Sequence, residues 1–203
     1  MSTRRLVLTW AVALVATACA RYTGGAHPID PNSVQRDPSW VTAAPTPTVH
    51  QRGLADCGLA ALAMVAGRWH VELSLDEARK SVPAPTAHGV KLGDLRAAAR
   101  AHGLIAFAVN ADESVLEHEI RAGRPVIVGL LRPYGRDRAL SHFEVVVALR
   151  AAPESNDQQV VTIDPAGGWQ VRSWTDLDRE WKPAGRPALV VLGTDSDTSQ
   201  AAR

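Results

Sequence analysis

Residues 51 to 67, QRGLADCGLAALAMVAG, constrain this chain more than any other stretch. Leu59 to Ala66 is an unbroken apolar run, mostly of strong helix formers, and Gly67 is a plausible stop. The run predicts an apolar helix with one cysteine, Cys57, at its mouth. Asp56 suits the N-cap, which puts the thiol in the first turn. Unpaired N–H groups and the positive end of the helix dipole favour a thiolate there. A lone cysteine on an apolar helix is ordinarily a small buried hydrophobe. Gln51, Asp56 and Gly58 change that reading, because the Gln51 amide can reach an oxyanion developing near the sulfur.

The N-terminus points to a compartment. Arg4 and Arg5 precede an apolar run from Leu6 to Ala18, broken only by Thr9 and Thr17, and Cys19 follows. This describes a secretory signal; a spanning helix needs about 20 apolar residues. Val15-Ala16-Thr17-Ala18-Cys19 resembles the lipobox of bacterial lipoproteins, in which the cysteine is lipidated and becomes the first residue. Ala16 stands where that box usually carries Leu. Residues 1–18 are therefore read as a lipoprotein signal peptide and Cys19 as the lipidation site, anchoring the protein to a membrane of the bacterial cell envelope. With lipid on the Cys19 sulfur no disulfide forms, and Cys57 is a free thiol in an oxidising compartment.

Without the signal, 185 residues remain, enough for one domain with a core of its own. Their 20 basic and 21 acidic side chains leave a net charge of about −1. Charges are mixed and no basic cluster alternates with aromatics, so no nucleic acid is expected as a partner. Gly24-Gly25 and Gly167-Gly168 lack the spacing of a phosphate loop. The seven His form no recognised metal pattern, so neither metal nor cofactor is expected.

Residues 19–47, rich in Pro and Gly, read as a flexible stalk with a solvated His27. A domain follows over residues 48–192, and 193–203 read as a disordered tail. Ser74 and Glu77 frame a capping box that opens a helix to about Val82. Helices are predicted over 92–102 and 114–121, and a helical turn over 176–181. Strands are predicted over 104–109, 125–131, 143–149, 160–163, 169–174 and 188–192. Helices first and strands later indicate an α+β fold, with helices to one side of an antiparallel sheet.

His142 stands at the predicted entry of a strand, after a loop over 132–140 rich in Arg. Asp164 ends the next strand. If the two strands are antiparallel neighbours, one Asp164 oxygen can accept the imidazole N–H and fix its tautomer, leaving the other nitrogen for Cys57. His50, His70, His88, His102 and His118 fall in loops or on polar helix faces.

The set Gln51, Asp56-Cys57-Gly58, Ser141-His142-Phe143 and Ile163-Asp164-Pro165 resembles the papain-like cysteine peptidases that cleave double-glycine leader peptides of bacteriocins, cysteine peptidase family 39. The resemblance implies a papain-like fold, N-terminal helices packed on a C-terminal antiparallel sheet. It also implies a thiol-dependent endopeptidase acting after small residues such as double glycine. By the same resemblance Cys57 is the nucleophile, His142 and Asp164 complete a triad, and Gln51 helps form the oxyanion hole. No cofactor is implied; the partners are a peptide or protein substrate and an export machine. Two alternatives use the same residues: a peptide-binding module that assists export without turnover, and a thioester-forming amide transferase. Glu144 departs from the family, which generally continues an apolar strand after the His.

Overall fold

The computed structural model describes residues 24–83, 89–134, 138–151 and 157–194. The signal-peptide segment, Cys19, His88 and the chain after Thr194 lie outside the described residues. Among those described, seven strands lie side by side in one antiparallel sheet. Their order is β1 (His27–Pro28), β7 (Gly168–Ser173), β6 (Gln159–Asp164), β5 (Arg138–Arg150), β4 (Val126–Tyr134), β8 (Pro187–Thr194) and β3 (Leu104–Asn110). A further short strand, β2 (Val41–Thr42), pairs with β5 off that path. Three helices, α2 (Cys57–Arg68), α3 (Leu75–Lys80) and α4 (Leu92–Ala101), cover one face. The other face is not open: α5 (Glu113–Arg121) and α6 (Trp174–Trp181) pack there.

Strand alternation sorts the core between these layers. Phe143, Val145, Ile163 and Leu189 face α2, while Val128, Val146, Val160 and Val190 face α5 and α6. Every residue of α2 from Cys57 to Ala66 is buried. Its fully buried Leu59, Leu62 and Met64 each contribute roughly 1.5–3 kcal/mol. A Cβ on Gly58 would lie 3.0 Å from Phe143 and 3.1 Å from Leu95, so glycine lets the helix mouth close on β5 and α4.

Local signals place most helix starts. Ser74 and Glu77 form the expected reciprocal capping box. Asp112 and Ser173 cap α5 and α6 more simply, each accepting a backbone N–H of the first turn. Gly67 does not end α2; the helix runs on to Arg68 and the chain turns at His70, whose φ is 56°. Nor does the chain leave the sheet at Gly193, since β8 continues to Thr194. The described ends of the Arg-rich stretch read as a loop instead extend β4 and β5, which pair as far as Tyr134 with Arg138.

The stalk reading fails for the described part of residues 19–47. Asp30 caps a short helix, α1 (Pro31–Arg36), by accepting the Asn32 N–H at 3.0 Å. His27 pairs with Val171, and Val41 with Leu149. Val34 and Trp40 are buried, and the Arg150 guanidinium lies 4.2 Å over the Trp40 ring. Gly24, at φ 58°, presses on α6: a Cβ there would meet the Glu180 carboxylate at 2.6 Å. This strap is ordered by burial and edge pairing, which overcome its weak local preferences. The folded unit therefore begins by residue 24, not 48. No helix among the described residues is long and apolar enough to cross a membrane.

Candidate active site

A single 3₁₀ turn, Leu54–Asp56, leads straight into α2 and sets Cys57 as its first residue. Cys57 is buried and free of any disulfide. Asp56 occupies the N-cap position but makes no side-chain cap bond. Its buried carboxylate turns back instead, accepting the Gly53 N–H at 3.1 Å and pairing with Arg79. Asp56 thus fixes the approach to the helix, and the first-turn N–H groups are left to the neighbourhood of the sulfur.

His142 comes from the sheet. It is the fifth residue of β5, not the first, because the hairpin with β4 extends beyond it. The register of Val145 opposite Ile163 sets Asp164 beside Glu144 and diagonal to His142. His142 Nε2 lies 2.8 Å from Asp164 Oδ1. The Cys57 side chain is the other neighbour that strengthens the imidazole's hold on its proton. With Nε2 committed to the carboxylate, Nδ1 is the ring nitrogen left for a second partner. The antiparallel juxtaposition expected for β5 and β6 is present, and it brings Cys57, His142 and Asp164 together.

Gln51 is tied to the same corner through its backbone, whose N–H donates to Pro165 O at 3.0 Å. The His50 ring lies on that carbonyl too, with Nδ1 at 3.3 Å. The turn after Asp164 therefore holds the segment that carries Gln51. The Gln51 Oε1 is buried without a hydrogen-bond partner among the described residues.

Asp164 is held on both oxygens. Oδ1 also accepts the Ala166 N–H at 2.8 Å, and Oδ2 accepts Arg132 Nη2 at 3.1 Å. Burial disfavours its charge, but the bond to His142, the imidazolium charge and Arg132 hold its carboxyl well below the usual carboxylate range. Burial likewise disfavours a charged His142. The hydrogen bonds to Asp164 and Cys57 outweigh that and the repulsion of Arg132, and the imidazole is pushed up to about 9. A protonated, carboxylate-backed imidazole beside a thiol can hold a thiolate and later return the proton.

Behind these groups lies a charged layer that sequence reasoning missed. Arg132 on β4 pairs with Asp164 and Glu144; Arg172 on β7 pairs with Glu144 and, at 3.2 Å, with Glu180 of α6. Glu144, Arg172 and Glu180 are fully or almost fully buried. Burial tends to raise the Glu144 carboxyl, but Arg172 and Arg132 prevail and hold it down. For Glu180 burial prevails and its pKa is raised. The available signal was a charge inside an apolar strand, Glu144 between Phe143 and Val145. The ligand atoms of His142, Glu144 and Asp164 lie within 4.8 Å of one another. A metal ion is a poor fit there, because the Arg132 guanidinium already bonds both carboxylates. Beside His142 opens a mainly apolar cavity of about 610 Å³, lined by Val90, Leu92, Leu130, Phe143 and Pro187 among others.

Residues 45–188 match the Peptidase C39 family. Among solved structures, the fold resembles that of a double glycine motif protease from an AMS/PCAT transporter in complex with the leader peptide. The TM-score is 0.57 at 21% identity, covering 75% of this chain and 95% of that one. The peptidase domain of Streptococcus ComA, a bi-functional ABC transporter involved in a quorum sensing pathway, gives 0.58 at 22% identity, covering 72% and 97%. A C39-like peptidase from Bacillus anthracis gives 0.58 at 15% identity, covering 75% and 97%. No curated protein matches the chain in sequence. With helices before an antiparallel sheet, a cysteine at a buried helix mouth and a family match across most of its length, this chain belongs to the peptidase C39 family.

Proposed function

We propose that the protein is a thiol endopeptidase that cleaves after small residues such as double glycine. The observation that carries this reading is the His142–Asp164 pair, Nε2 2.8 Å from the carboxylate, on the sheet that the free Cys57 at the mouth of α2 packs against. Cys57 attacks the scissile carbonyl as a thiolate. The oxyanion is received by the Gln51 amide and the Cys57 backbone N–H at the start of α2. His142 protonates the leaving amine, then activates water to release the acyl group. Asp164 orients the imidazole throughout. The Gly-Gly preference is supported by the likeness to a double glycine motif protease bound to a leader peptide. An export machine as partner is supported by the likeness to a peptidase domain of an ABC transporter.

The test is a peptide carrying Gly-Gly, incubated with wild type, Cys57→Ala and Gln51→Ala, with products read by mass spectrometry. Wild type is expected to cleave after the glycines and Cys57→Ala to be inert. Gln51→Ala should lose about 10²–10³ in kcat, as for other oxyanion donors. Binding without cleavage would favour the export-assisting module. Conjugates to an added amine would favour the amide transferase.

The same proposal places the protein in the bacterial envelope, held by lipid on Cys19. Its support is the sequence alone, from Arg4 to Cys19. Mass spectrometry of the mature N-terminus tests it: an unmodified start at Ala20 or beyond would end the anchor.

A further inference from the structure

We propose that Arg132 is a positioning residue for the reaction proposed above, holding Asp164 by Oδ2 so that Oδ1 faces His142. The inference rests on the peptidase reading and goes beyond it, because it assigns a role to the charged layer under α6. Asp164 has two oxygens with different work. Oδ1 is shared between His142 at 2.8 Å and the Ala166 N–H at 2.8 Å. Oδ2 meets Arg132 Nη2 at 3.1 Å. A carboxylate held only at Oδ1 can rotate about its Cβ–Cγ bond. The guanidinium prevents this, and it is itself gripped.

That grip comes from three elements. Arg132 pairs with Glu144 on the neighbouring strand and lies 3.7 Å, from Nε, to Glu180 on α6. Arg172 then joins Glu144 to Glu180. The planar fork of arginine suits this, since Nη2 serves Asp164 and Glu144 while Nε faces Glu180; a lysine ammonium is a single point and cannot hold all three in that geometry. The titratable and charged groups around His142 are thus Cys57 from α2, Arg132 from β4, Glu144 on its own strand, Asp164 from β6, and Arg172 and Glu180 further back. Lys91 rims the adjacent cavity. This explains why β5 carries Glu144 in an apolar run: it anchors the arginine that anchors the aspartate.

NMR titration of the His142 imidazole tests this without a peptide substrate. In wild type the imidazole should titrate near 9. In Arg132→Lys, which keeps the charge, the imidazole should bind its proton about tenfold more weakly. The double variant R132M/E144Q removes one charge of each sign, so it keeps the balance if the lysine form does not fold; the same weakening is expected. Folded variants of either kind with the wild-type titration would overturn the proposal and leave the peptidase reading standing. A wild type whose imidazole titrates near the ordinary 6.5 would overturn both.

Discussion

The two faces of the sheet solve opposite problems. Toward α2 the interior is dry: Leu59, Leu62, Met64, Val145 and Ile163 pack with no charge between them. Toward α6 the sheet buries Glu144, Arg172 and Glu180 beside Val146, Val160 and Leu177. Cys57 arrives from the dry side, and its position is fixed by packing. His142 and Asp164 arrive from strands whose alternate residues face the charged side, and their geometry is fixed by ion pairs. The thiol is thus set by shape and the imidazole by charge.

The largest effects should come where the two sides meet. Cys57→Ala and His142→Ala should each bring peptide turnover below about 10⁻³ of wild type, and the double variant should be little worse, because residues acting as a unit are non-additive. Additive losses would mean that the thiol and imidazole act independently.

Next come the two interiors taken alone. Arg172→Met leaves Glu144 and Glu180 buried with fewer partners, and should cost about 3–5 kcal/mol in urea unfolding. On the dry side Leu62→Ala should cost about 2–5 kcal/mol through its cavity. Salt tests whether the charged layer is as closed as the apolar one: neither deep interior is screened, so both losses should persist in 1 M NaCl. A loss in Arg172→Met that vanishes in salt would mean that the layer is open to solvent.

A smaller effect depends on pH. Folding raises His142 from an ordinary 6.5 to about 9, so its contribution is full below 6.5 and is lost as pH rises through 9. Asp164 is shifted down, so its contribution is present above its ordinary 3.8 and is lost as pH falls below that. Their pairing should therefore be strongest between about pH 4 and 6.5. Wild type should lose roughly 2–3 kcal/mol between pH 6 and 9.5 relative to His142→Gln, from about 1.4 kcal/mol per unit. Parallel curves for the two proteins would show that the pair adds no stability. The smallest effect lies far from the site: Ser74→Ala should cost about 1 kcal/mol by removing the α3 cap.

The difference between the faces also governs what could be read from the sequence. The dry side was legible because apolar runs are local: α2, the later strands and the order of Gln51, Cys57, His142 and Asp164 all show in short windows. The charged side was not. Arg132 and Arg172 are forty residues apart, and nothing local tells that both reach Glu144. Arg132, Pro133 and Arg138 weaken the local strand preference, which pairing between β4 and β5 overrides. Asp56 was expected to cap α2, but Arg79 and the Gly53 N–H compete for its carboxylate. The strap was read as coil for the same kind of reason, since its two short strands gain order only from edges contributed by distant residues.

The seat of Gly24 against Glu180 bounds how far the body can stand from an anchor at Cys19. Were Cys19 lipidated as proposed, five links would join it to Gly24, at most roughly 17 Å of chain. The catalytic body would then sweep a thin layer over the bilayer instead of reaching freely from it. Substrates delivered at the membrane surface would meet it at high effective concentration, and peptides released into bulk would scarcely meet it at all. Selectivity would then come partly from where a peptide emerges, before any subsite reads its sequence.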